Sequence, residues 1–267
     1  MTKNRILYIT QEIDPYLDLD GIGKLIQKLP SFAQDNGMEI RILMPRFGTI
    51  NERRHRLHEV VRLSGMNIII DDDDYALIIK VASLPGSRIQ VYFLDNDEFF
   101  KRKQVFEDEE GVAYPDNQDR MIFFCKGALE TVKKFGWPPD VVHCHGWMTS
   151  LIPFYLKTVY KNDPVFKNSK VIFSIYDKVL DSSFSDDFFK KAAINSLKSD
   201  QLSAFKNGDG ISLHKGAIQF ADGLIQGSPT IDQNLMLAIE ALKKPFIQTP
   251  EEDFLQTYID FYKTILA

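Results

Sequence analysis

Short apolar runs alternate along the chain with longer amphipathic stretches. The run Ile6–Ile9 predicts a buried strand, and apolar residues three and four positions apart over 21–36 predict a helix that Gly37 ends. The same patterns predict strands at 39–44, 67–70, 75–81, 89–94, 141–143 and 170–175, and helices at 118–134 and 149–160. Strands separated by helices of this length are typical of right-handed crossovers, so the sequence predicts an α/β fold with a mainly parallel sheet.

The C-terminal third of the chain is less regular. The segment 177–210 carries helical fragments between Ser- and Asp-rich turns, which indicates a mobile excursion on the surface. Thr249, Pro250 and Glu252 have the order of a helix N-cap, a first-turn proline and a capping-box glutamate. We therefore expect a short connection over 230–248 and a helix over 250–266, whose apolar stripe packs on the body of the protein.

Composition narrows the classes of partner. The chain has 267 residues, 44% of them hydrophobic and 26% charged, with a net charge of −5. It carries no basic tract, so we expect no nucleic-acid partner, and its apolar runs are too short to cross a bilayer, so we expect no membrane partner. The first residues lead into a strand without the apolar region of a signal peptide, which predicts a cytoplasmic location. Cys125 and Cys144 are too few for a disulfide framework or a structural zinc site.

The loop after the first strand leads into its helix through Gly21 and Gly23. In parallel α/β sheets, ligands bind beyond the carboxyl ends of the strands, and glycines at a helix start let backbone N–H groups approach a phosphate. Asp14, Asp18 and Asp20 would repel such an anion, and the loop is longer than a dinucleotide fingerprint allows. Two alternatives stay open: a phosphate-binding loop, or a helix start whose dipole is complemented by acidic residues.

A second candidate site lies at the end of the strand 141–143. His143 and His145 are two residues apart, so their side chains share one face and are candidates to meet a metal ion. No Asp or Glu flanks them at ligand spacing, so we expect packing or ligand contact and no bound metal.

The acidic run 71–74 predicts a solvated hairpin tip, because it lacks the glycine and the distal glutamate of a calcium loop. The sequence has no Gly-x-Ser-x-Gly motif, no Walker motif and no Cys–His nucleophile pattern, and no catalytic residue is predicted.

Four segments resemble the N-terminal half of the bacterial glycogen synthases and plant starch synthases. They are Glu12-Ile13-Asp14-Pro15-Tyr16 with Gly21-Ile22-Gly23 and Leu29-Pro30; Tyr114-Pro115-Asp116-Asn117 with Arg120 and Phe123-Phe124; Pro139-Asp140-Val141-Val142-His143-Cys144-His145-Gly146-Trp147; and Lys215-Gly216 with Ala221-Asp222 and Ser228-Pro229-Thr230. These retaining glycosyltransferases have a two-domain GT-B fold and move glucose from ADP-glucose to the end of an α-1,4-glucan. The resemblance implies a Rossmann-like three-layer domain over 1–230, and a connection and returning helix over 231–267. It also implies retained ligand-binding positions at Gly21, Gly23, His145 and Trp147.

Other family positions have changed. The lysine of the family's first loop corresponds to Asp18, the aspartate of its His-x-His-Asp-Trp motif to Gly146, and a histidine expected at the reacting sugar to Tyr176. Few residues follow Thr230, where the family has the second domain that holds most of the donor site. Two charges about 4 Å apart interact by several kcal/mol in a partly shielded site, so this change opposes binding of a nucleotide sugar, and we expect no glucose transfer from ADP-glucose.

Three hypotheses for the function follow. The leading one is a synthase-like protein of glycan metabolism without transferase activity of its own, which uses no cofactor. It would bind an α-glucan, a full-length synthase or a second copy of itself. The alternative is an active glycosyltransferase that uses ADP-glucose, as half of a split enzyme completed by another chain. An unrelated nucleotide-binding oxidoreductase is the third, and it lacks a glycine fingerprint. The fold alone does not decide among them.

Overall fold

The computed structural model describes residues 3–180, 183–194, 197, 199–205, 208–248 and 254–267. Its strands are β1 (Arg5–Thr10), β2 (Glu39–Pro45), β3 (His58–Glu59), β4 (Met66–Ile70), β5 (Asp73–Ser83), β6 (Gln90–Asp95), β7 (Val141–His145), β8 (Lys170–Ile175), β9 (Gly223–Gln226) and β10 (Phe246–Gln248). Its helices are α1 (Ile22–Asp35), α2 (Glu52–His55), α3 (Asp97–Phe100), α4 (Asn117–Phe135), α5 (Leu151–Lys157), α6 (Phe188–Ala192), α7 (Gly210–Phe220), α8 (Gln233–Leu242) and α9 (Phe254–Leu266). Short 3₁₀ turns occupy 147–149 and 199–205.

The strands form one sheet in the order β10-β9-β8-β7-β1-β2-β6-β5-β3, with β4 paired to β5. Neighbours from β10 through to β6 are parallel, and β5 joins β6 in the antiparallel direction. The central strands are buried over nearly their whole length, as their continuous apolar sequences require in a sheet covered on both faces. The predicted α/β fold with a mainly parallel, Rossmann-like sheet is confirmed.

Helices cover the sheet. The long helix α4 contacts α5 and α6, α5 packs on α7, and α1 contacts the final helix α9. Helix α4 ends at Gly136, whose φ of 60° and ψ of 35° give the left-handed conformation that glycine tolerates best. Helix α7 begins with a capping box, in which the Asp209 side chain accepts from the backbone N–H of Ser212. None of the helices in the described part of the chain is both long and apolar enough to cross a membrane.

The C-terminal third differs from the sequence prediction in two places. The predicted connection over 230–248 contains α8 and β10, and β10 extends the sheet beyond β9. The excursion over 177–210 is not confined to the surface, because Phe188, Leu202 and Phe205 are fully buried. Single aromatic or aliphatic anchors in a polar segment give no periodic pattern, which is why the sequence did not show them. The predicted cap at 249–252 lies outside the described residues, and the domain boundary at 230 stays a prediction.

Candidate ligand-binding site

Parallel pairing brings three strand ends to one edge of the sheet. Thr10 of β1 is paired with His145 of β7, and His145 is paired with Ser174 of β8. The loops that leave these strands therefore lie side by side, beyond the carboxyl ends where α/β sheets bind their ligands.

A cavity of about 460 Å³ opens among these loops. Its walls combine aromatic, aliphatic, amide and charged side chains: Leu19, Asp20, Gln104, Val105, Phe106, Glu107, Gly111, Ala113, Asn117, Trp147, Lys178, Val179 and Leu180. The rings of Phe106 and Trp147 lie 4.9 Å apart between centroids at an angle of 55°. The volume is in the range of sites for small organic molecules, and the lining is more polar than in most of them.

The first loop is held by a carboxyl group of its own. The Glu12 side chain accepts hydrogen bonds from the backbone N–H groups of Leu19 and Asp20, and Glu12 is fully buried. Burial, opposed by the two backbone hydrogen bonds and assisted by the neighbouring charges of Asp20 and Asp18, raises the pKa of Glu12 to about 7. An internal acceptor thus occupies the loop amides that would otherwise be open to an anion.

Gly21 and Gly23 serve the backbone of this loop. Gly21 precedes α1 with a φ of 83°, a conformation that favours glycine, and no atom lies within 4 Å of a Cβ placed there. At Gly23 a Cβ would come within 2.8 Å of the Leu17 carbonyl oxygen, so this glycine lets the loop pack directly on the helix. Neither of these two predicted positions lines the cavity. Asp20, the residue before Gly21, is part of its lining.

His143 and His145 form the centre of a buried polar network. His143 shares hydrogen bonds with the hydroxyl of Tyr262 at 2.7 Å through Nδ1 and with that of Ser174 at 2.8 Å through Nε2. The Nδ1 atom of His145 lies 2.8 Å from the hydroxyl of Tyr176, and the Tyr262 hydroxyl donates to that of Tyr8 at 3.1 Å. Burial lowers the pKa of His145 to about 3 and that of His143 well below its usual range, so both rings are neutral near pH 7. The final helix α9 therefore covers this network with Tyr262.

The site has no cluster typical of a metal centre. The two imidazole rings lie 3.9 Å apart between centroids, but three of their four nitrogens face hydroxyl groups. Within the described ranges, no three His, Cys, Asp or Glu side chains come together at a spacing that could hold a metal ion.

Gly146 has a backbone conformation that excludes the family's aspartate. Its φ of 83° and ψ of 161° fall in a region that is essentially restricted to glycine. A Cβ at this position would lie 2.3 Å from Oε1 and 2.8 Å from Cγ of Gln11. The Gln11 side chain, 1% exposed, thus fills the space that a side chain at 146 would need.

Tyr176 fills a second part of the same edge. Its ring lies against Gly227, where a Cβ would come within 2.5 Å of Cε1, and its hydroxyl meets His145. Burial raises the pKa of Tyr176 well above its usual value, so the hydroxyl keeps its proton. The side chain that replaces the family's histidine is therefore part of the core rather than of the cavity.

Of the four predicted positions, only Trp147 lines the cavity, while His145 lies in the polar network beneath it. The sequence analysis did not predict Phe106 and the hairpin that carries it as part of the site. Asn117 belongs to the Tyr114-Pro115-Asp116-Asn117 segment that resembles the family, but the sequence did not predict it as a site residue. A lone phenylalanine in a charged stretch has no periodicity, so only the resemblance around Asn117 pointed to this wall.

A mainly parallel sheet with a cavity beyond its carboxyl ends is the architecture of nucleotide- and sugar-handling α/β enzymes. The profile of the family described as "Starch synthase catalytic domain" matches residues 5–242. This chain belongs to that family, the glycogen and starch synthases.

Curated relatives agree with this membership, and a solved structure shares the fold. Glycogen synthase from Chlorobium limicola is 34% identical over 219 residues, which are 82% of this chain and 44% of the relative. Glycogen synthase from Chlorobium phaeobacteroides is 40% identical over 174 residues, 65% of this chain and 36% of the relative. The catalytic domain of starch synthase IV from Arabidopsis thaliana, solved with ADP and acarbose bound, superposes with a TM-score of 0.74 at 20% identity, covering 92% of this chain and 51% of that one. The chain thus spans about half the length of the relatives that it matches.

Proposed function

We propose that this chain binds an α-1,4-glucan in the cavity beside Trp147 and does not transfer glucose from ADP-glucose on its own. The observation that carries the proposal is the contrast between the two sides of the strand edge. The amides of the first loop are already bonded to Glu12, whereas the cavity between this loop and Trp147 is open.

The first loop is unsuited to a nucleotide diphosphate. Asp18 stands where the family has a phosphate-contacting lysine. Its carboxylate forms an ion pair with Nζ of Lys24 at 3.6 Å. Asp20 is a second acidic residue in the same turn, and the buried Glu12 already accepts from the backbone N–H groups of Leu19 and Asp20 that a phosphate would need. Two like charges about 4 Å apart repel by roughly 4 kcal/mol at an effective dielectric constant of 20, which is enough to remove useful affinity for a diphosphate.

The reacting-sugar position is occupied as well. The ring of Tyr176 and the side chain of Gln11 take the volume near His145 and Gly146. Neither a carboxylate at 146 nor a histidine at 176 is present to contact a transferred glucose.

The open side suits a neutral sugar chain. Phe106 and Trp147 supply aromatic surface, and Asp20 and Lys178 supply an acceptor and a donor for sugar hydroxyls. Acarbose in the Arabidopsis structure is an oligosaccharide analogue, so an oligosaccharide ligand is known for a protein of the same fold.

Isothermal calorimetry with maltoheptaose and with ADP-glucose tests the proposal. We expect maltoheptaose to bind and ADP-glucose to give no heat of binding. Phe106→Ala should weaken maltoheptaose binding at least tenfold, because it removes one ring of the aromatic pair. Trp137→Phe is the matched control, because Trp137 lies away from the cavity with its indole N–H on Glu39.

Two results contradict the proposal. Binding of ADP-glucose with glucose incorporation into a labelled glucan would show an active transferase. Absence of maltoheptaose binding, or binding that Phe106→Ala leaves unchanged, would remove the cavity as a glucan site.

A further inference from the structure

One wall of the cavity is a hairpin over 104–114. Its two arms pair through a bridge between Glu107 and Ala113, and the Tyr114 N–H donates to the Phe106 carbonyl at 3.0 Å. At its turn the Asp108 carboxylate accepts from the N–H groups of Glu110 and Val112. Hairpins of this length are marginal by themselves, so its position depends on what holds it from outside.

The side chain of Asn117 bonds this hairpin to helix α4 beside the cavity, in addition to the ring contacts of Phe106 with Phe47 and Trp147. The Asn117 amide nitrogen donates to the Phe106 carbonyl at 2.7 Å, and its amide oxygen accepts from Nη1 of Arg120 at 2.6 Å. Because the guanidinium offers only donors, it fixes which end of the amide faces Phe106.

Arg120 lies in a position where burying a charged side chain costs free energy. Its side chain is fully buried, and both of its hydrogen-bond partners among the described residues, Asn117 and the Phe99 carbonyl, are uncharged. Burial, together with the charge of Arg102, lowers the pKa of Arg120 to about 10. Rings of Phe47, Phe100, Phe106 and Tyr114 lie 5.5–6.0 Å from the guanidinium carbon, so cation–π attraction offsets part of the cost. A purely structural position would be filled at lower cost by an apolar side chain.

We propose that Asn117 is a positioning residue for the cavity: oriented by Arg120, it holds Phe106 against Trp147 before any ligand arrives. This inference rests on the proposed glucan site for its ligand, but the ordering of the hairpin is a property of the free protein. A wall that is ordered in advance spares the ligand the entropy cost of ordering it, which raises affinity.

The base of the hairpin has a separate attachment. Arg102 forms a bidentate ion pair with Asp116 and lies over the ring of Tyr114 at 4.4 Å. Loss of the Asn117 contact therefore frees the Phe106 arm without detaching the whole segment.

Asn117→Asp separates the two functions of the amide. The carboxylate has the same shape and keeps an acceptor for Arg120, now as an ion pair, but it cannot donate to the Phe106 carbonyl. We expect the thermal midpoint to stay within a few degrees of wild type. The hairpin amides of Asp108, Val112 and Tyr114 should exchange hydrogen at least tenfold faster, and the Kd for maltoheptaose should rise at least tenfold.

Asn96→Asp is the matched control. The Asn96 amide nitrogen also donates to a backbone carbonyl, that of Ala76 at 2.9 Å, but Asn96 is not part of the cavity lining. It should leave the exchange of the hairpin amides and the maltoheptaose Kd unchanged.

Each result decides the inference. Unchanged hairpin exchange in Asn117→Asp overturns it, and so does faster exchange spread over the whole chain with a lowered midpoint, because that marks a structural role only. If maltoheptaose binds neither protein, the proposed function fails, while the local exchange of the hairpin still decides whether Arg120 and Asn117 position it. Local loosening with an unchanged maltoheptaose Kd would overturn the link to the ligand.

Discussion

Replacing Gly146 with alanine tests whether the strand edge has lost the space for the family's aspartate. A Cβ at position 146 would lower the stability of the fold for two separate reasons. The backbone region of Gly146, with φ of 83° and ψ of 161°, is closed to other residues at a cost of about 1–3 kcal/mol. The contact of 2.3 Å with Oε1 of Gln11 adds overpacking, typically about 1–3 kcal/mol. We expect the free energy of unfolding to fall by about 2–6 kcal/mol.

Gly136→Ala separates the two costs. Gly136 also has a positive φ, 60°, but no atom lies within 4 Å of its Cβ position. Only backbone strain remains there, so the loss should be about 1–2 kcal/mol. Urea unfolding at pH 7, followed by circular dichroism, measures both variants against wild type.

The double variant Gln11→Ala/Gly146→Ala measures the contact itself. If Gln11 causes the overpacking, the double variant should be more stable than the sum of the two single changes predicts, by about 1–3 kcal/mol. A Gly146→Ala variant no less stable than Gly136→Ala, or a coupling energy near zero, would refute the argument that Gln11 has taken this space.

Three further changes test other contacts. Tyr262→Phe leaves Nδ1 of His143 buried without its hydroxyl partner and should lower the free energy of unfolding by about 1–3 kcal/mol in urea; a loss below about 0.5 kcal/mol would contradict the network. Glu12 has its pKa raised from 4.5 to about 7 in the folded chain, so its contribution to stability is complete below pH 4.5 and is lost as pH rises through 7. The difference in unfolding free energy between wild type and Glu12→Gln should therefore change by at most about 3 kcal/mol between pH 4.5 and 8, and a flat difference would show that burial does not perturb Glu12. Asp18→Lys should raise the affinity for ADP at least tenfold in calorimetry, and equal binding by both proteins would show that Asp18 does not control the loop.

The fold was predictable because its main determinants are local and repeated. Apolar runs such as Ile6–Ile9 and the spacing of three and four residues along α1 report burial directly. Strand β10 has only three residues, and its pairing with β9 depends on tertiary contact. No local pattern could have located it.

The candidate site was predictable in part for the same reason. Trp147 lies at a strand end, where topology alone places ligands, and the structure puts it in the cavity wall. The roles of His145 and Tyr176 depend on a hydrogen bond between the end of β7 and the residue that follows β8, and that of Gly146 depends on the side chain of Gln11. These contacts join residues distant in sequence. The sequence therefore showed that positions 146 and 176 differ from the family, but not which side chains fill the space there.

The contact between the hydroxyls of Tyr8 and Tyr262 has a consequence for how the chain reaches its native state. It joins residues separated by 254 positions, from the first strand to the last helix. Until α9 docks, His143 and Tyr8 lack the hydroxyl of Tyr262, and the face of the sheet that carries them is open to water. Docking of α9 buries these polar groups and supplies their hydrogen-bond partner in the same step, so they are not left unpaired inside the core. The pairing couples the first strand to the last helix, and contacts between residues so far apart in sequence close a large loop, which slows folding.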